Sequence, residues 1–107
     1  MIGFREFQQV EMKVGKVVAV EDHPNADKLM IIRTDVGEDS PRTLVAGLKG
    51  YYTKEQLEGK LVVVVTNLEP ARLRGVQSDG MLLAAQEGEE VVVLTLDKQI
   101  APGSPVL

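Results

Sequence analysis

Residues 12–21, MKVGKVVAVE, set Met12, Val14 and Val17 among Lys13, Gly15 and Lys16. Alternation of this kind predicts a strand with one buried face, and Gly15 predicts a bend or bulge within it. HPNAD, residues 23–27, reads as a turn, because Pro24 presets its own dihedral and Asn25 tolerates the next position. KLMIIRTDVG (28–37) predicts a second strand, GEDSP (37–41) a turn, and RTLVAG (42–47) a third strand. Thr53 with Gln56 three residues later matches a capping box, so a short helix is expected from there, ended by Gly59. KLVVVVTN (60–67) predicts a fourth strand, Gly80–Ala85 a fifth and Val91–Leu96 a sixth, before a Pro/Gly-punctuated end. Upstream, GFREFQQ (3–9) reads as a short helical turn with Phe4 and Phe7 on one side.

Five strands with a small helix between the third and fourth is the element order of an OB barrel, a five-stranded Greek-key barrel of the all-β class. The length, 107 residues, fits one domain, with the barrel over about 10–86 and a C-terminal extension over 87–107. Leu61 to Val65 is apolar at every position, whereas a strand wet on one face alternates. Both of its faces are therefore expected to be covered, either by the sixth strand or by a second subunit. On that reading Val62–Val65 and the strand of the 90s carry a homodimer contact.

The segment NLEPARLRGVQSDGMLLAA (67–85) breaks the apolar pattern. A plain strand-to-strand turn takes about two to five residues; this connection is several times longer, as functional loops are. Arg72 and Arg74 lie two apart and point the same way if the backbone is extended. Arginine forks onto phosphates or stacks on bases. Asn67 offers a donor and an acceptor to a base edge. Gly75 and Gly80 let a ligand approach the backbone. Ser78 can hydrogen-bond, and Met81 offers a soft contact to an unstacked base. The residues alone leave open a bland alternative, with the arginines solvated and Met81 in the core. Tyr51 and Tyr52 are candidate stacking platforms, or packing residues.

Composition narrows the chemistry. The chain holds no cysteine and one histidine, His23, so a disulfide framework, a thiolate metal site and a transition-metal cluster are not expected. Asp35, Glu38 and Asp39 read as a solvated turn rather than a cation site. Neither a P-loop nor a G-x-G-x-x-G pattern is present, and Ser78 has no histidine nearby in sequence to activate it. The reading is of a non-catalytic module with no cofactor, no metal and no small-molecule substrate. Apolar runs are far too short for a membrane span, and no signal-peptide pattern opens the chain, so no membrane partner and a cytoplasmic location are expected.

Net charge is −4, which alone argues against nonspecific nucleic-acid binding. The distribution is uneven. Between residues 41 and 78, Arg42, Lys49, Lys54, Lys60, Arg72 and Arg74 outnumber Glu55, Glu58 and Glu69, a net +3. Residues 87–107 carry a net −3. The basic middle is where an anionic partner is expected.

KVGKVVAVEDHPNADKL and LVAGLKGYYTKEQLEGKLVVVVTNLEPARLRGVQSDGMLLAA together resemble the tRNA-binding domain family, over nearly the whole chain. That domain ends many methionyl-tRNA synthetases and also occurs as free-standing dimeric tRNA-binding proteins. The resemblance implies an OB barrel whose C-terminal extension builds a homodimer, and tRNA binding by shape and backbone with little preference among tRNAs. It implies a methionyl-tRNA synthetase catalytic domain as a possible companion. The family's RNA-binding face falls here on Asn67, Arg72, Arg74, Ser78 and Met81, and on Lys28 at the end of HPNADK; Arg42 and Lys49 rank behind them. Glu69 and Ala71 stand where many members carry Lys or Arg, so this loop is less cationic than theirs. The alternative reading is a protein-interaction module or a chaperone-like dimer of the same fold.

Overall fold

The computed structural model describes all residues from Met1 to Leu107. In chain order the elements are α1 (Phe4–Gln8), β1 (Met12–Asp22), β2 (Met30–Asp35), β3 (Arg42–Ala46), α2 (Lys54–Leu57), β4 (Leu61–Val65), β5 (Ala71–Leu73), β6 (Val76–Ser78), β7 (Met81–Leu82), β8 (Ala84–Glu87), β9 (Glu90–Val93) and β10 (Pro105–Val106). The main sheet runs β3-β2-β1-β4-β7, antiparallel throughout, with β10 added to the start of β1. Two hydrogen bonds bring its outer edges together: the Asp79 amide donates to the Thr43 carbonyl at 2.8 Å, and the Val45 amide donates to Ser78 Oγ at 3.0 Å. The result is a nearly closed five-stranded barrel of the OB type, as the element order predicts.

β1 is long enough to serve two partners, β4 along its first half and β2 along its second. The change of partner needs a bend. The register slips between Val17 and Ala19, leaving Val18 bulged outward and half exposed; a bulge of this kind sharpens the local twist. Gly15, where the bend was expected, has another role. A side chain there would lie 2.6 Å from the Thr34 methyl, so glycine lets β2 and β4 pack over β1. The predicted capping box is present, with Gln56 N donating to Thr53 Oγ1 at 3.1 Å and Thr53 N to Gln56 Oε1 at 2.9 Å. This starts α2, whose Leu57 is fully buried in the barrel.

The core joins Val17, Val20, Met30, Ile32, Leu44, Leu57, Val62, Val64 and Leu82 with Val93 from the C-terminal region. The all-apolar β4 strand is buried at every position within the single chain. Val62 and Val64 face the core, and the extension reaches the same strand through Thr95, whose hydroxyl donates to the Leu61 carbonyl at 2.7 Å. The expectation that Val62–Val65 offers itself to a second subunit is therefore corrected: this strand leaves no apolar face open. The last residues return to the barrel by a close crossing in which Gly103, at φ +90, lies against Gly37, at φ +84; a Cβ on either would come within 3 Å of the other's backbone.

The predicted fifth strand is shorter than its apolar pattern suggests. Only Met81 and Leu82 pair with β4. From Ala84 the chain turns away and pairs with β9 in a separate hairpin, leaving Ala84 and Ala85 exposed.

Candidate nucleic-acid interface

The long connection after β4 folds into a hairpin of its own. β5 and β6 pair with Ala71 opposite Ser78, Arg72 opposite Gln77 and Leu73 opposite Val76. Arg74 and Gly75 form the two-residue tip, at φ +52 and φ +93. Two positive φ values are what a type I′ turn requires, and its twist matches the strands it joins. Glycine fits that geometry freely, whereas Arg74 is the one non-glycine residue of the chain at positive φ. Arg72 curls toward the same tip, its Nη1 donating to the Gly75 carbonyl at 2.7 Å. Both guanidinium groups are thus carried at the end of one projecting ribbon, and neither pairs with a carboxylate.

Three anchors hold that ribbon to the barrel. At its root Arg42 donates from Nη1 to the Thr66 carbonyl at 2.6 Å and to the Asp79 carbonyl at 3.1 Å. Its Nε and Nη2 fork onto Glu38 at 2.9 and 2.8 Å. The hydrogen-bonded pairing holds the Glu38 carboxyl below its ordinary range and the Arg42 guanidinium above its own. At the end of β6, Ser78 is buried; its Oγ accepts from Val45 N and donates to the Gly80 carbonyl at 3.0 Å. Nearer the tip, His23 is buried with 5% of its surface exposed. Its Nδ1 accepts from the Asn25 amide at 3.0 Å, which leaves the ring proton on Nε2 to donate to the Leu73 carbonyl at 2.9 Å. The β1–β2 loop and the ribbon are thereby one unit.

Asn67, expected to meet a base edge, is a staple instead. Its Nδ2 donates to the Gln9 carbonyl at 2.6 Å and its Oδ1 accepts from the Glu11 amide at 2.8 Å, fixing the N-terminal segment. Met81 is half exposed and rims a small cleft of about 220 Å³ with Leu68, Leu73 and Glu69, between the ribbon and β7. Lys28 is exposed and free of carboxylates, at the end of the β1–β2 loop that His23 joins to the ribbon. Lys49 shares Asp22 with Lys54, at 3.3 and 3.6 Å.

The model for a putative tRNA binding domain matches residues 12–105. The chain belongs to the tRNA-binding domain family. It is 52% identical over 105 residues to the methionine–tRNA ligase of Pyrococcus furiosus, a match covering 98% of this chain and 14% of the ligase. The chain thus spans about one seventh of the length of that relative. Among solved structures it resembles the MetRS-related protein of Pyrococcus horikoshii (TM-score 0.92, 32% identity, 100% of this chain and 98% of that one). It also resembles the CsaA chaperone protein of Picrophilus torridus (TM-score 0.91, 26% identity, all of both chains).

In this tRNA-binding domain the eight residues singled out in the sequence divide into two groups. Lys28, Arg72, Arg74 and Met81 are exposed, on the ribbon, on the strand that follows it and on the loop that His23 joins to it. Arg42, Asn67 and Ser78 spend theirs on the scaffold, and Lys49 is engaged with a carboxylate. The sequence places His23 in a turn, and its position beside Pro24 gives no sign of a contact fifty positions away. Two residues of the turn expected to be solvated are engaged locally: Asp35 Oδ1 accepts from the Gly37 amide at 2.8 Å, and Glu38 holds Arg42.

Proposed function

We propose that this chain is a tRNA-binding module that grips its ligand by backbone and shape rather than by sequence. The observation that carries the reading is the hairpin tip. It presents Arg72 and Arg74 without carboxylate partners, with Lys28 on the adjoining loop. Family membership names the anionic partner. Arginine and lysine contacts to phosphate fix register but carry no sequence information, so different tRNAs should bind with similar strength. The module works in the cytoplasm as a homodimer, either alone or joined to a methionyl-tRNA synthetase catalytic domain. A cleft between α1 and the C-terminus supports the dimer. It is lined by Phe4, Phe7, Val10, Met12, Val106 and Leu107, and Phe4 keeps 74% of its surface exposed. Apolar surface of this kind marks a partner contact, and a second copy covering it would bury both aromatic rings.

Titration of labelled tRNA across salt concentrations tests the reading. Of the five cationic candidates, Arg42 is committed to the barrel and Lys49 is paired to Asp22, which leaves three for phosphate. At about −0.7 per phosphate for single-stranded contacts, log K should fall against log salt with a slope near −2. Affinity indifferent to salt, or unchanged when Arg72 and Arg74 are both replaced by alanine, would refute the assignment. The protein-interaction alternative draws on the apolar rim formed by Leu68, Leu73 and Met81. It predicts that unfolded peptide, rather than tRNA, competes for this end of the barrel.

A further inference from the structure

Gly47 and Gly50 flank the turn after β3, and nothing within the protein explains why either is glycine. Neither has a positive φ. A Cβ on Gly50 would meet no atom within 4 Å, and one on Gly47 would come no closer than 3.9 Å to anything. Glycine loses more conformational freedom on folding than alanine does, so its use where alanine fits calls for another reason. Both glycines line the same open cleft of about 500 Å³, together with Lys28, Tyr51 and Glu89. Tyr51 is 46% exposed there, and its hydroxyl has no hydrogen-bond partner in the chain. The neighbouring Tyr52 is the packing residue of the pair; its hydroxyl accepts from Val93 N at 3.0 Å.

The geometry points to a nucleotide subsite in this cleft: an unpaired base of the bound RNA stacks on Tyr51 while its phosphate meets Lys28. The inference rests on the tRNA-binding reading above and extends it beyond the hairpin. Removing the side chains at 47 and 50 clears the approach to the ring, and close approach to backbone is a recurrent use of glycine. Stacking on an exposed aromatic is how proteins hold unpaired bases. Glu89, at the turn between β8 and β9, repels phosphate from its own wall and leaves Lys28 as the cationic end that receives it. Lys28 also lies on the loop that His23 joins to the arginine ribbon, so the cleft and the ribbon belong to connected elements.

The chain contains no tryptophan, so Tyr51→Trp introduces a single indole reporter. With tRNA as the probe, its emission should be quenched on binding. Tyr51→Ala should weaken binding by about five- to a hundredfold, the range expected for loss of one stacked base, and Tyr51→Phe should bind as the parent does. Gly50→Val should weaken binding comparably with an unchanged thermal midpoint, since its side chain enters open space. Gly50→Ser serves the same purpose if valine disturbs the turn. The proposal is overturned if Tyr51→Ala and the Gly50 variants bind tRNA like the parent, or if the indole stays unquenched in the complex. If Arg72→Ala/Arg74→Ala still loses affinity in that case, the basic ribbon stands and this subsite alone is refuted. Absence of tRNA binding by the parent protein would overturn both.

Discussion

Residues of the same type diverge in role according to where their polar atoms find partners. Arg42 and Arg74 have identical side chains, but four hydrogen bonds close Arg42 into the barrel while Arg74 points from a turn tip with no carboxylate in reach. Arg74 also sits at positive φ, where a side chain is strained by about 1–2 kcal/mol. A residue held there against its preference marks a place to look for function. Arg74→Gly should therefore separate stability from binding. Relief of strain, offset by about 0.5–1 kcal/mol of glycine entropy, should leave stability equal or slightly higher in denaturant titration. The salt slope for tRNA should become shallower by about 0.7, the share of one phosphate. Ser78 behaves in the opposite way. Ser78→Ala leaves the buried Val45 amide without an acceptor, which should lower stability by about 1–3 kcal/mol. Any weakening of tRNA binding should then follow the fraction folded and leave the salt slope unchanged.

At the level of elements, the arginine ribbon is small and its strands are solvent-exposed, so it depends on its anchors. β5 has no buried residue and β6 has one. An isolated hairpin of this length is marginal in water. Arg42, Ser78 and His23 supply the root, the edge and the tip contact that the ribbon lacks. The Arg42–Glu38 fork makes the root sensitive to acid. Glu38 has a lower pKa folded than unfolded, so its contribution is complete above its unfolded value, about 4.3. It declines as pH falls through the interval down to the folded value and is absent below it. The thermal midpoint of the parent should exceed that of Glu38→Gln at neutral pH, and the two should converge on acidification. An equal gap at every pH would show that the carboxylate charge plays no part. Glu38 and Arg42 are partly exposed, so solvent screening keeps this effect modest.

For the whole molecule, a −4 charge and the proposed binding of a polyanion require the cations to gather locally. In the C-terminal hairpin, Glu87 and Glu90 belong to a separate sheet from the arginine ribbon, while Glu89 shares the cleft of Lys28. The β2–β3 turn uses its Glu38 on Arg42. The other whole-molecule feature is the apolar cleft at the termini. Replacing Phe4 and Phe7 with glutamate should convert a dimer to a monomer in analytical ultracentrifugation. The thermal midpoint should change little beyond the loss of association, because neither ring belongs to the barrel core. A parent protein that sediments as a monomer would remove the dimer from the proposed function.

Period and punctuation were enough to specify most of the barrel. Alternating apolar positions gave β1, apolar runs set between turn residues gave β2 and β3, the Thr53–Gln56 spacing gave α2, and the valine run gave β4, because these signals are local. The motif residues likewise singled out the segment that folds into the projecting ribbon. What they left undecided was the work of each side chain, since that depends on contacts between residues far apart in the chain. Asn67 meets Gln9 and Glu11, Arg42 meets Thr66 and Asp79, and His23 meets Leu73 only after the barrel has closed. A hydrogen-bonding group is free to bind a ligand only if no internal partner has claimed it. Tertiary structure decided that competition, leaving Lys28, Arg72, Arg74 and Met81 facing outward and turning Arg42, Asn67 and Ser78 inward.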